Sequence, residues 1–261
     1  MQYKKFDMHC HTKEGSVDAK VTALEYIEIL KTMGFGGMLF TDHDSYLGYD
    51  SVKEKDIDIG DFTILKGIEY DTSDFGHFIV VMPDDNTPAV LSVRGLKLEK
   101  LIELVHSNGG ILGPAHPGGE PFLSFYSTGI RYGHWVKMKE LLPLMDFFEG
   151  YNASENEISN KVARGLVKKY RRPATGGSDA HKHDCVGLGY GYLPDNIKSN
   201  NDFIKYIKTV PDIKVYGKQY GKTLKDKLGI FNKVLVALFY PYNKYESLKN
   251  YRKRKTLLDK D

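Results

Sequence analysis

Apolar positions along the chain switch repeatedly between the two-residue period of a strand and the 3.6-residue period of a helix. "KKFDMH" (4–9) reads as a strand. "TALEYIEILKTMG" (22–34) reads as a helix with Leu24, Ile27, Ile29 and Leu30 on one side, Thr22 as its N-cap and Gly34 as its stop. Strand patterns recur at 37–44, 62–73, 76–83, 109–117, 145–152 and 173–181. Helical patterns lie at 97–107, 135–142 and 154–170, and a last strand–helix pair fills roughly 188–216. Repeated strand–helix alternation predicts an α/β fold with a parallel sheet. About seven such units favour closure into a barrel, although an open sheet satisfies the same pattern.

The strand ends are where the pattern becomes chemical. Two of the nine histidines, His9 and His11, stand one residue apart where the first strand runs out. Side chains two apart on an extended segment share a face, so both imidazoles aim at one point. Asp42 and His43 end the second strand, Glu69 the third, His116 a later one, Glu149 another, and Asp179 with His181 the last; His77 begins a strand after a short loop. In a parallel barrel, chemistry gathers at that rim. Imidazole plus carboxylate suits Zn²⁺, Mn²⁺ or Fe²⁺. There are more such groups than one ion needs, so two or three divalent ions are expected.

Other polar residues read differently. Cys10 must point away from its flanking histidines, into the core. His106 falls in the last turn of a helix, facing its dipole, and His183 is a loop residue near the rim. Glu149 is either a ligand or the partner that orients one.

Composition narrows the setting. Apolar residues make up 41% and charged residues 27%, as in ordinary globular proteins, and a net charge of +3 is too small to imply a nucleic-acid partner over the whole surface. Two cysteines, Cys10 and Cys185, and no signal-like opening segment predict a reducing, cytoplasmic setting without a disulfide framework. No apolar run of about 18 residues is present, so no transmembrane segment is expected.

Taken together, "HCH" (9–11), "TDHD" (41–44), "AHP" (115–117) and "SDAH" (178–181), with "IEY" between the second and third, resemble the motifs of the PHP family, named for polymerase and histidinol phosphatase. The resemblance spans residues 1 to about 195. It implies a distorted (β/α)7 barrel, taken here as residues 1–220; outside the resemblance, residues 221–261 read as a C-terminal helical extension. It also implies a ligand set: His9, His11, Glu69 and Asp179 on one ion; Glu69, His77 and His116 on a second; Glu14, His43 and His181 on a third. Glu14 is preferred over Asp18 because "HTKEGS" resembles the variant of small family members with a carboxylate three residues after the second histidine. With no polymerase domains in the chain, the resemblance points to the stand-alone phosphoesterase branch.

The expected reaction is hydrolysis of a phosphate ester, foremost a phosphomonoester, by a hydroxide bridging the first two metals, with Glu69, Asp179 and His43 as catalytic residues. The expected partner is a small phosphorylated substrate; nucleic acid enters only as a substrate. Arg131 and His134, in "STGIRYGHW", are candidate phosphate binders. The alternatives are a metal-dependent amidohydrolase, which usually bridges its metals with a lysine or modified lysine, and a non-catalytic metal- or nucleotide-sensing module. In the extension, Leu228, Ile230, Phe231, Val234, Leu235, Leu238 and Phe239 precede the basic cluster "NYRKRK". Packing on the barrel with a solvated basic tail is the preferred reading. Peripheral contact with anionic lipid is the alternative.

Overall fold

A computed structural model describes residues 2–220 and 230–259. Nine strands are present among them: β1 (Tyr3–Cys10), β2 (Phe35–Phe40), β3 (Thr63–Asp71), β4 (His77–Val81), β5 (Ile111–Pro114), β6 (Phe148–Asn152), β7 (Ala174–Gly177), β8 (Gly189–Pro194) and β9 (Val215–Gly217). Seven form a curled sheet in the order β5-β4-β3-β2-β1-β8-β9, and β6 pairs with β7. The β6–β7 pair stands between β5 and β1, across the curl of the sheet. Asp146 N–H donates to Leu112 O at 3.0 Å on the β5 side, and Asp179 N–H to His9 O at 2.8 Å on the β1 side. The result is the expected α/β, barrel-like architecture.

Not every pairing is parallel. β4 runs antiparallel to both β3 and β5, and β8 antiparallel to β1 and β9. Between β3 and β4 the cause is the five-residue link 72–76, too short for the dozen or more residues that a parallel crossover needs. This reversal brings the first residue of β4, His77, to the rim where β3 ends.

Helix α1 (Ala23–Thr32) begins with a reciprocal cap: Thr22 accepts the Glu25 N–H, and the Glu25 carboxylate accepts the Thr22 N–H. Its buried face is Ala23, Tyr26, Ile27 and Leu30, whereas Leu24, expected inside, is 40% exposed. Tyr26 takes that place because its hydroxyl donates to Asp7 Oδ2 at 3.0 Å and meets Ser178 Oγ at 2.8 Å beneath the rim. The pattern did not reveal two short helices, α2 (Leu47–Lys53) and α4 (Phe125–Arg131). The remaining barrel helices are α3 (Leu98–Ser107), α5 (Trp135–Leu141), α6 (Glu157–Tyr170) and α7 (Asn200–Thr209). Phe203, Ile204 and Ile207 of α7 join Phe6, Met8, Leu39, Leu65 and Ile79 in one core cluster.

Two helices follow, α8 (Ile230–Lys249) and α9 (Tyr251–Leu258). Asn243 Nδ2 donates to Thr72 O at 3.1 Å, and Leu257 and Leu258 pack against the core cluster that contains Tyr70, Val90 and Leu91. Arg254 departs from the reading of a solvated basic tail: it is 7% exposed. Its guanidinium satisfies the carbonyls of Arg94 and Ser247, each at 2.6 Å. Leu228 and the side chains of Ile230, Phe231, Leu235 and Phe239 lie outside the described residues. No described helix is long and apolar enough to cross a membrane.

Deleting residues 222–261 would uncover this apolar contact. Stability should fall by roughly 3 kcal/mol, about 10 °C in melting temperature, with aggregation on heating. An unchanged melting curve by calorimetry would show that the helices do not support the barrel.

Candidate metal centre

A buried carboxylate anchors the floor of the rim. Asp7 is 0% exposed and accepts hydrogen bonds from His9 N at 3.3 Å, Ser178 N at 2.9 Å, the Ser178 hydroxyl, and Tyr26 OH at 3.0 Å. It thereby ties the "HCH" segment to the "SDAH" segment, which are far apart in sequence. Asp42 ties its own "TDHD" segment to the residues that follow "HCH", accepting Thr12 N at 2.6 Å, Thr12 Oγ1 at 2.8 Å and Ser16 Oγ at 2.9 Å. Asp44, His116 and Asp179 take left-handed backbone, with φ of 47°, 29° and 51°. Non-glycine residues accept that conformation where the surroundings impose it, as functional sites often do.

Above this floor, six imidazoles converge. Glu69 sits among five of them: its Oε2 lies 3.3 Å from His9 Nε2, 3.2 Å from His11 Nε2 and 3.4 Å from His43 Nδ1. Its Oε1 lies 3.1 Å from His77 Nδ1 and 2.9 Å from His116 Nε2. Asp179 Oδ1 stands 3.3 Å from His11 Nε2, 3.7 Å from His9 Nε2 and 3.6 Å from His181 Nδ1. Asp71 Oδ1 stands 3.3 Å from both His43 Nδ1 and His77 Nε2. Five three-residue groups hold ligand atoms within 4.8 Å of one another: His11–His43–His181, His9–His116–Asp179, His9–His11–Glu69, His43–Asp71–His77 and Glu69–His77–His116.

The hydrogen bonds behind the imidazoles say what the front atoms can do. Glu149 Oε1 meets His9 Nδ1 at 2.9 Å, while its Oε2 accepts His116 N at 2.5 Å and Asn152 Nδ2 at 3.1 Å. As an acceptor, Glu149 places the proton of a neutral His9 on Nδ1 and leaves Nε2 bare. Ser16 gives its own proton to Asp42, so at 3.2 Å it accepts from His11 Nδ1, which leaves His11 Nε2 bare as well. Yet the two Nε2 atoms face each other at 3.0 Å. Two lone pairs at that distance repel unless a proton or a cation lies between them. A divalent ion satisfies both, together with Glu69 and Asp179, so the donor set fits the metal chemistry expected of it.

Electrostatics agrees. Burial alone would push His9 and His43 down. Glu149, Asp179 and Glu69 around His9, and Glu69 and Asp71 around His43, instead lift both well above the usual imidazole value. Burial would raise Glu69 and Asp179, but the surrounding imidazoles hold both well below the usual carboxylate range. The pit is built to hold excess positive charge.

The other candidates fall into place around it. The Glu14 carboxylate turns away to accept the Ala23 N–H at 3.0 Å, at the start of α1. Its rival Asp18 points in, with Oδ2 3.2 Å from His181 Nε2. Although burial works against it, Asp18 is held below the usual range by His181, His43 and His11. The structure therefore brings Asp18, not Glu14, to the third group of imidazoles. Glu149 stands behind His9. Cys10 points into a core with Val21, Tyr26 and Met38. His106 lies in the last turn of α3 and meets Asp146 Oδ2 at 2.9 Å, away from the cluster. His183 pairs with Glu25 at 3.4 Å.

Arg131 is not brought to the cluster: it stands over the Phe122 ring at 6.0 Å. His134 lines a cavity of ≈ 120 Å³ with Thr72, Asp74, Tyr132 and Lys244. Sequence reasoning missed Asp71, although it stands two residues after Glu69, the same spacing that paired His9 with His11.

A PHP-domain family model matches residues 7–168, more than half the chain, and a PHP-associated model matches 157–209. The chain belongs to the PHP family. Among solved structures, this PHP protein is similar to a two-domain protein from Bacteroides vulgatus containing a predicted PHP-like metal-dependent phosphoesterase. That match has a TM-score of 0.61 at 15% identity, covering 83% of this chain and 65% of that one, so this chain spans just under two thirds of its length. PsfC from Pseudomonas syringae matches with a TM-score of 0.61 at 16% identity, covering 92% of this chain and 100% of that one. A lesion-specific endonuclease from Pyrococcus furiosus matches at 0.57 and 18%, covering 87% and 60%. At these identities the likeness concerns the fold. No curated protein matches the sequence significantly.

Two outcomes follow for the PHP centre. Asp18→Asn should lower bound metal by about one ion per chain in elemental analysis, while Glu14→Gln should leave metal content unchanged; the reverse pattern would return the role to Glu14. Protons on His9 and His43 stabilise the metal-free fold fully below about pH 6.5, and that contribution is lost as pH rises through their elevated folded-state values. Chelator-treated protein should therefore melt at falling temperatures as pH rises above about 6.5, and added Mn²⁺ should flatten the slope; a flat profile without metal would contradict the charge assignment.

Proposed function

We propose that this PHP protein is a metal-dependent phosphoesterase, with a phosphomonoester as its substrate. One observation carries the reading: Glu69 offers one oxygen to His9 and His11 and the other to His77 and His116. A carboxylate thus stands where an amidohydrolase usually carries a lysine or modified lysine.

The proposed ligands are His9, His11, Glu69 and Asp179 for one ion, Glu69, His77 and His116 for a second, and His43, His181 and Asp18 for a third. Bound there, divalent ions supply a water acidic enough to act as nucleophile near neutral pH and positive charge for the phosphoryl oxygens. The chain's own part is to present bare nitrogens. Glu149 and Ser16 hold the protons of His9 and His11 on Nδ1, and Ser124 Oγ steadies His116 Nδ1 at 3.0 Å. Ser154 Oγ and Asn152 Nδ2, at 2.7 and 3.3 Å, fix Asp179 Oδ2 and leave Oδ1 towards the imidazoles.

A phosphomonoester dianion gains more from several cations than a singly charged diester does. His134 and Lys244 line the cavity beside the 72–76 loop, and that loop joins Asp71 to His77; the substrate's phosphate or leaving group would meet them there. A sensing module without catalysis would not need this full ligand set.

With Mn²⁺, the protein should hydrolyse a chromogenic phosphomonoester faster than a phosphodiester or an acyl amide. Glu69→Gln, Asp179→Asn and His43→Ala should each lower that rate by about a hundredfold or more. Turnover of the amide alone would replace this reading with an amidohydrolase. Cleavage of an oligonucleotide but not of the monoester would make the substrate a nucleic acid.

A further inference from the structure

Behind the metal centre lies an ion-pair ring that the proposed reaction does not itself call for. Arg94 follows a single turn at Ala89–Ser92 and precedes α3. Its Nε is 3.1 Å from Asp44 Oδ2 and its Nη2 is 3.1 Å from Asp71 Oδ2. The Asp71 N–H closes the ring by donating to Asp44 Oδ1 at 2.9 Å. The other oxygen of Asp71 is the one that faces His43 and His77, each at 3.3 Å. Arg94 therefore bears on where Asp71 points, and Asp71 accepts from the Nδ1 of His43 and lies beside His77.

Arg94 is in turn gripped by a part of the chain beyond residue 209, outside both family matches. Arg254 of α9 donates to the Arg94 carbonyl and to Ser247 O of α8, each at 2.6 Å. The Tyr242 ring stands 5.8 Å from the Arg94 guanidinium carbon. Gly95, at φ 101°, lies so close that a Cβ there would meet Ser247 Oγ at 2.5 Å. Its N–H donates to Asp71 O at 2.9 Å, so the same turn is bonded to Asp71 through backbone and side chain alike.

We propose that Arg94 is a positioning residue of the metal centre and that α8 and α9 serve to clamp it. Without the guanidinium, two buried carboxylates would share one pocket and repel. Asp71 would turn, and His43 would lose the acceptor that holds its Nδ1 and sets which nitrogen faces the ion. Removing such partners from behind metal-binding histidines typically weakens metal affinity by about 10- to 100-fold. The proposal rests on the rim binding metal and not on the identity of the substrate.

The test is a titration of metal-stripped protein with Mn²⁺ alone, free Mn²⁺ being followed by paramagnetic resonance and folding by thermal melts. Arg94→Met should weaken one site by about 10- to 100-fold. Adding Asp44→Asn, which removes the excess charge, should recover most of that loss, whereas a purely structural role would leave the double variant as weak as the single. Arg254→Met should weaken the same site in the same direction, by a smaller factor. If Arg94→Met does not fold, Arg94→Lys, which keeps the charge but not the planar fork, decides. Wild-type affinity in either folded Arg94 variant would overturn the role of Arg94, and wild-type affinity in Arg254→Met would overturn the clamp. Because the readout is metal binding, failure to find a phosphate-ester substrate would leave this result standing.

Discussion

Five imidazoles around one buried carboxylate is the arrangement on which the rest of this structure depends. Glu69 is 1% exposed, with imidazole nitrogens between 2.9 and 3.4 Å from its two oxygens. Left to themselves these groups conflict. Protonating every imidazole would crowd positive charges together, and leaving them all neutral would oppose the bare nitrogens of His9 and His11 at 3.0 Å. A charge that is buried and uncompensated is expensive. Divalent cations resolve the conflict in one step, and so a chemical function follows from an electrostatic requirement.

The fold supplies what that requirement needs. The ends of β1 to β7 deliver one or two donors each, and the short 72–76 link reverses β4 so that His77 reaches the same rim as Asp71. Asp7 and Asp42 bind the delivering segments to one another. Glu149, Ser16, Ser124 and Asp71 then stand behind individual imidazoles and set which nitrogen faces inward. Arg94 continues the same logic one layer further out, and the C-terminal helices reach it there.

Much of this was legible in the sequence because it depends on local periodicity. Strand positions follow from alternation, and the pairing of His9 with His11 follows from a spacing of two. The barrel-like architecture and the imidazoles of the rim needed little more. What could not be read were long-range choices. That Asp18 rather than Glu14 points at His181 turns on the start of α1, whose Ala23 N–H claims the Glu14 carboxylate. Leu24 loses its core place to Tyr26 because a tyrosine hydroxyl was needed under the rim by Asp7 and Ser178. Arg131, apparently well placed in its loop, is spent on the Phe122 ring, and Arg254, apparently a tail charge, is drawn inward by two carbonyls. None of these partners is an immediate neighbour: they stand from seven residues away, as Ser247 does from Arg254, to 160, as Arg94 does.

The most direct test is anomalous diffraction from crystals grown with Mn²⁺ and recorded on either side of the manganese absorption edge. The account predicts one peak bounded by His9, His11 and Asp179 and another bounded by His77 and His116, with the Glu69 carboxylate reaching both. An occupied crystal in which manganese lies elsewhere, while these imidazoles remain bare and opposed, would contradict it.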